Sequence, residues 1–287
     1  MDKSTSVARA LIGALLLILL ALPLGCAEET APNLKVVTTT SLIASIAERV
    51  GGDKIQVANI IPAAQCPGHF DVKPSDIKML SDAKLFLMHG WQGETFTGQL
   101  IESADNPELV VVSLNIPGNW MTPSVQAQAV GNITSILIEV DPENAIYYQN
   151  NAKPYQDAII AKGNELKARL EAGKVSQVNV ICDAQITELL QWAGFNVVAS
   201  YPRPEDLTPK KIQGLVDQGK QAGVALVIDN LQSGSPNAGV TMANEIGAVQ
   251  VTFSNFPGGF DNTETWEKAA EKDVNLLLQA LAQYKGE

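Results

Sequence analysis

The chain has 287 residues, enough for one large or two modest domains, and its 46% hydrophobic content is ordinary for a folded globular protein. The formal charge is −11, and a chain beginning at Cys26 carries about −12. That balance argues against nucleic acid, which attracts basic patches, and is compatible with a cationic ligand without demonstrating one.

Lys3 and Arg9 precede an apolar run over residues 10–24, which ends at Pro23-Leu24-Gly25-Cys26. This is a basic segment followed by an apolar segment of signal-peptide length, shorter than the usual membrane span. Gly25 before Cys26 resembles a bacterial lipoprotein cleavage site, although Pro23 replaces the aliphatic residue usual there. Residues 1–25 therefore read as a signal peptide, Cys26 as the lipidated first residue of the mature chain, and residues 26–33 as a polar tether. The alternative is an uncleaved N-terminal anchor; both put the remainder outside the cytoplasm. Two further cysteines, Cys66 and Cys182, stand about a hundred residues apart. They could form a disulfide, share a metal or be two buried hydrophobes, and spacing does not decide.

Residues 34–140 alternate strand and helix. Strands are expected over 34–38, 55–61, 85–88 and 109–114, and helices over 41–50, 74–81, 94–103 and 125–140. The first helix follows from the spacing of Leu42, Ile43, Ile46 and Val50, with Gly51-Gly52 as its stop. Asp141-Pro142-Glu143 is then a strong helix start, and no stop follows before Gly173. A helix over 141–172 would run roughly 45 Å at 1.5 Å per residue, longer than one lobe needs. We read it as a strut, with Pro154 expected to kink or break it. Two ordinary helices in a single domain is the plainer alternative. Residues 173–287 repeat the pattern, with strands over 178–181, 196–200, 225–228 and 248–253 and helices over 186–193, 208–221, 237–245 and 263–284. The expected fold is α/β: two lobes, each a parallel sheet of about four strands flanked by helices, joined by one long linking helix.

In open α/β sheets, ligands bind beyond the carboxyl ends of the strands. Cys66 and His69 follow the second strand and His89 ends the third. Cys182 and Asp183 end the first strand of the second half, and Asp229 ends the third. If the lobes face each other, these residues line one cleft. Each has a plainer role: His89 a hydrogen-bonded strand cap, Cys182 a small buried hydrophobe, Asp229 a helix cap. Cys66-Pro67-Gly68-His69 is harder to explain in that way, since a thiol and an imidazole three residues apart on a Pro-Gly loop have metal-ligand spacing.

From about residue 34 onward the chain resembles the metal-binding receptors of ABC importers for zinc and manganese. The resemblance rests on three matches: Pro74-Ser75-Asp76-Ile77-Lys78-Met79-Leu80-Ser81-Asp82-Ala83 with His89-Gly90 and Glu94; Trp120-Met121-Thr122-Pro123; and Asp141-Pro142-Glu143-Asn144 with Tyr148 and Asn151. It implies a lipid-anchored, extracytoplasmic, monomeric receptor that performs no reaction and hands its ligand to an ABC permease. The family's usual ligand positions fall here near Cys66 and His69, at Gly118, at Cys182 and near Ser254-Asn255, so its imidazole and carboxylate set is largely absent. Cys66, His69 and Cys182, with Asp229 as a weaker fourth, are the expected metal ligands. Thiolate plus imidazole favours zinc or copper over manganese as the transported ion. Cys66 and Cys182 should then approach each other across the cleft. A second reading keeps the fold and takes an organic or metal-chelate ligand, such as a siderophore or corrinoid, against Trp91, Trp120 and Tyr201. Pocket volume separates the two, since an organic ligand needs several hundred Å³. A third, a thiol enzyme with Cys182 or Cys66 as nucleophile and His69 as base, has no local catalytic signature behind it.

Overall fold

The computed structural model describes residues 33–91, 93–234 and 237–286. The expected signal peptide, Cys26 and all of the tether but its last residue lie outside the described residues. No helix among the described residues is long and apolar enough to cross a membrane.

Alternation of strand and helix yields two parallel four-stranded sheets. The first contains β1 (Leu34–Thr38), β2 (Ile55–Asn59), β3 (Leu85–Met88) and β4 (Val110–Ser113) in the order β2-β1-β3-β4. The second contains β5 (Asn179–Asp183), β6 (Asn196–Tyr201), β7 (Leu226–Asn230) and β8 (Val249–Phe253) in the order β6-β5-β7-β8. Each sheet therefore reverses its winding at one place, between β1 and β3 and between β5 and β7. A crevice opens beyond the strand ends at such a switch point. Around the first sheet lie α1 (Ser41–Gly51), α2 (Pro74–Ser81), α3 (Thr97–Ala104) and α4 (Pro123–Val140).

The linking helix is α5 (Ala145–Ala172), 28 residues long and roughly 42 Å at 1.5 Å per residue. It begins one turn later than the sequence suggests, because Pro142–Asn144 forms a tighter 3₁₀ turn first. Asp141 fastens that turn by accepting from Asn144 Nδ2 at 2.8 Å and Tyr148 Oη at 2.5 Å. Pro154 lies inside the helix without ending it. Both Pro154 and Asn150, whose carbonyl loses its helical partner, are exposed, so water can satisfy the freed oxygen. One face of the helix buries Tyr148, Ala152, Tyr155, Ile159, Leu166 and Leu170 at helical spacing.

Beyond the strut come α6 (Thr187–Ala193), α7 (Pro209–Ala222), α8 (Asn237–Ile246) and α9 (Trp266–Lys285). The strut packs on α1 and α4 from one half and on α9 from the other. A single apolar cluster runs through it from Val36 and Leu85 in the first sheet to Val180, Leu226 and Val251 in the second. The two halves are thus joined by a shared core as well as by the chain.

Candidate functional site

Loops at the carboxyl edges of the two sheets enclose a cleft of about 720 Å³. On its first wall, the loop after β3 is fixed by one buried carboxylate. Glu94 accepts from the backbone N–H groups of His89 (3.2 Å), Gly90 (2.7 Å) and Trp91 (3.3 Å), and from Thr39 Oγ1 at 2.5 Å. Three converging backbone donors hold the loop in one shape and carry Trp91 to the cleft wall. Behind it, the His89 ring stacks on Trp91 at 3.6 Å and 7°, and meets Trp120 edge-on at 4.4 Å. His89 Nε2 lies 2.7 Å from Thr40 Oγ1. Burial pushes this histidine well below its ordinary pKa, so it is a neutral, packed ring behind the wall.

The floor joins the two halves through Asn119. Its backbone N–H donates to Glu188 Oε2 at 2.9 Å, and its side-chain amide donates to the Gln185 carbonyl at 3.0 Å and to Asn255 Oδ1 at 2.8 Å. A second bridge runs from Gln232 Nε2 to the Ala63 carbonyl at 2.7 Å, while Gln232 Oε1 accepts from the Asn255 N–H at 2.9 Å. These are long-range contacts between strand-end loops, and they set the distance between the walls.

Arg203 reaches over this floor from the loop after β6 and lines the cleft. A Cβ added at Gly68 would come within 2.5 Å of its Nη1, and one at Gly93 within 3.5 Å of its Nη2. The guanidinium thus lies against two loops of the opposite half that carry no side chain at the point of approach. Among the described residues, the Arg203 guanidinium has no hydrogen-bond or ion-pair partner, although its charge reaches Asp183.

The sequence-predicted ligands are dispersed. Cys66, 7% exposed, is on the cleft wall. His69 is at the exposed rim, with Nε2 3.5 Å from Glu205 Oε1 of the opposite half. Cys182 is 0% exposed and belongs to the apolar core, its thiol 3.6 Å from Thr187 Oγ1. Burial pushes that thiol up to about 12, so it remains protonated at neutral pH. Asp229 is enclosed against α8 at Gly239 and accepts from Tyr201 Oη at 2.5 Å and Gln250 Nε2 at 2.6 Å. Burial raises its pKa as well.

The expected gathering of Cys66, His69, Cys182 and Asp229 is therefore not formed: among the described residues no group of three or more His, Cys, Asp and Glu side chains is arranged to hold a metal ion. Cys66 and Cys182 are both free thiols. The cause is strand length. β5 continues to Asp183 and β7 to Asn230, each two residues beyond the expected end. That puts Cys182 and Asp229 inside the sheet, where side chains alternate between faces. Cys182 shares the core face with Val180, and Asp229 points to the side where Tyr201 lies. Two other expected positions do reach the cleft, Gly118 with φ +97° and Asn255, but neither carries an imidazole or a carboxylate.

Reading the sequence missed Arg203, Asn119 and Gln232. For Arg203 a signal existed, an arginine between two prolines in a strand-end loop of an acidic chain. The carboxamides had none.

Fold and cleft together define a two-lobed α/β binding protein whose halves are fixed by one long helix. The chain belongs to the family described as zinc-uptake complex component A, periplasmic (ZnuA), whose model matches residues 36–280. Curated relatives agree. The manganese ABC transporter substrate-binding lipoprotein scaA of Streptococcus gordonii is 28% identical over 224 residues, covering 69% of this chain and 72% of its own. The metal ABC transporter substrate-binding lipoprotein FimA of Streptococcus parasanguinis is 28% identical over 258 residues, covering 80% and 82%. Among solved structures, the manganese-bound periplasmic metal-binding protein of Candidatus Liberibacter asiaticus superposes with a TM-score of 0.74 at 18% identity, covering 87% of this chain and 100% of that one. The nickel complex of FpvC from Pseudomonas aeruginosa gives 0.73 at 21% identity, covering 88% and 97%. At these identities the structures establish the shared fold.

Proposed function

We propose that this protein is the extracytoplasmic receptor of an ABC importer that takes up a transition metal, and that the interlobe cleft is where its cargo is captured. The observation that carries the reading is the cleft itself, built from the carboxyl edges of two parallel sheets and spanned by the Asn119 and Gln232 bridges. Membership of the zinc-uptake family and the metal-transport names of the relatives support the cargo class. In this reading the chain catalyses no reaction, is tethered through lipid on Cys26, works as a monomer and docks on a permease. The preference for zinc or copper over manganese has Cys66 as its soft donor on the cleft wall, since Cys182 is held protonated in the core.

The test is deletion of the gene in the producing organism under metal limitation, with elemental analysis of the cells. Accumulation of at least one transition metal should fall and be restored by the wild-type gene. Complementation by Cys26→Ser should return the protein without its membrane attachment. Unchanged metal content in the deletion strain would refute the receptor assignment.

A further inference from the structure

Resting on that receptor reading, we infer that the cleft takes its metal as an anionic organic chelate, a carboxylate-bearing molecule wrapped around the ion, with Arg203 as its anchor. Size is the first argument. The cleft of about 720 Å³ falls in the range of small-molecule sites, roughly 300–1,000 Å³, whereas a caged ion needs almost no free volume. The second is the donor set. A bare ion has to replace its water with several protein ligands, and the described residues offer no group of three His, Cys, Asp or Glu side chains to do so.

Charge is the third argument. Arg203 holds a permanent positive charge at the cleft, its guanidinium lodged against Gly68 and Gly93 with no ion-pair or hydrogen-bond partner among the described residues. A fixed guanidinium repels a free dication. It also offers a planar fork of donors that matches a carboxylate with two parallel hydrogen bonds. The acids on the same wall, Glu188 and Asp206, disfavour a free organic polyanion and favour a complex whose metal offsets its carboxylates.

The inference is tested on the purified mature protein by calorimetric titration and tryptophan fluorescence, with two anionic chelates as probes, the 1:2 complex of zinc with dipicolinate and the 1:2 complex of iron(III) with dihydroxybenzoate. Free Zn²⁺, free Mn²⁺ and the metal-free chelators are titrated alongside. At least one chelate should bind about tenfold or more tighter than the free ions. Arg203→Gln should weaken that chelate by about 10- to 100-fold. Arg203→Lys should also weaken it, because an ammonium lacks the fork. Unchanged thermal unfolding of both variants shows that the loss is local. Free ions that bind tightly to wild type and to Arg203→Gln alike overturn the inference, as does binding of neither chelate, or chelate binding indifferent to Arg203. Cellular metal accumulation separates the two levels: the receptor reading survives those outcomes if deletion still lowers it, and fails independently if deletion does not.

Discussion

Leu166 tests whether the strut and the two halves form one mechanical body. It is 0% exposed, on the buried face of α5, and lines a small void of about 20 Å³ with Met121 from the first half and Leu189, Trp192, Phe253 and Leu277 from the second. Leu166→Ala would remove buried apolar volume where the walls already fail to close on each other. Leu→Ala changes in cores cost ~2.7–5 kcal/mol, more where the site cannot collapse. The existing void puts Leu166 toward the upper end, ~4 kcal/mol. At about 2–4 °C per kcal/mol for a chain of this size, the melting temperature should fall by roughly 8–16 °C. Because the core is continuous through the helix, differential scanning calorimetry should show one transition displaced as a whole. A loss below ~1 kcal/mol, or a split into two transitions of which one stays in place, would refute the shared core.

The two thiols should behave differently. Under native alkylation read by peptide mapping, Cys66 on the cleft wall should react about tenfold or more faster than Cys182, whose thiol is buried and held protonated; equal rates would place Cys182 at the cleft after all. Asp273 should make the protein less stable as pH rises. Its carboxyl is buried, accepts one bond from the Ser254 N–H at 3.1 Å, leaves Oδ2 unpaired, and has its pKa raised well above 3.8 by burial. The folded chain then holds more protons than the unfolded one, so stability is greatest below the unfolded value and declines from there toward the folded value. Melting of Asp273→Asn against wild type, from pH ~4 to ~8, should favour the variant increasingly as pH rises. A wild type that gains on the variant would show that the carboxylate is stabilised in place.

Much of the architecture is written in local chemistry. β1, β3 and α2 coincide with their expected spans, because apolar runs and capping residues act over a few positions and need no distant partner. Asp141-Pro142-Glu143 and the absence of a stop before Gly173 announce the strut for the same reason. The sheet edges where ligands collect also follow from the alternation alone. Tertiary pairing decided where strands end. Cys182 faces Ser200 and Asp183 faces Tyr201 across β5 and β6, while Asp229 faces Thr252 and Asn230 faces Phe253 across β7 and β8. Those ladders carry the strands two residues past their apolar runs. Side-chain parity then assigned Cys182 to the core and Asp229 to Tyr201 and Gln250 rather than to the cleft. The cleft's own chemistry came from residues distant in sequence, Asn119 against Asn255 and Arg203 against Gly68 and Gly93. A guanidinium becomes a binding group only when the fold brings it to a gap and leaves it unpaired, and no local pattern along the chain encodes the absence of a partner.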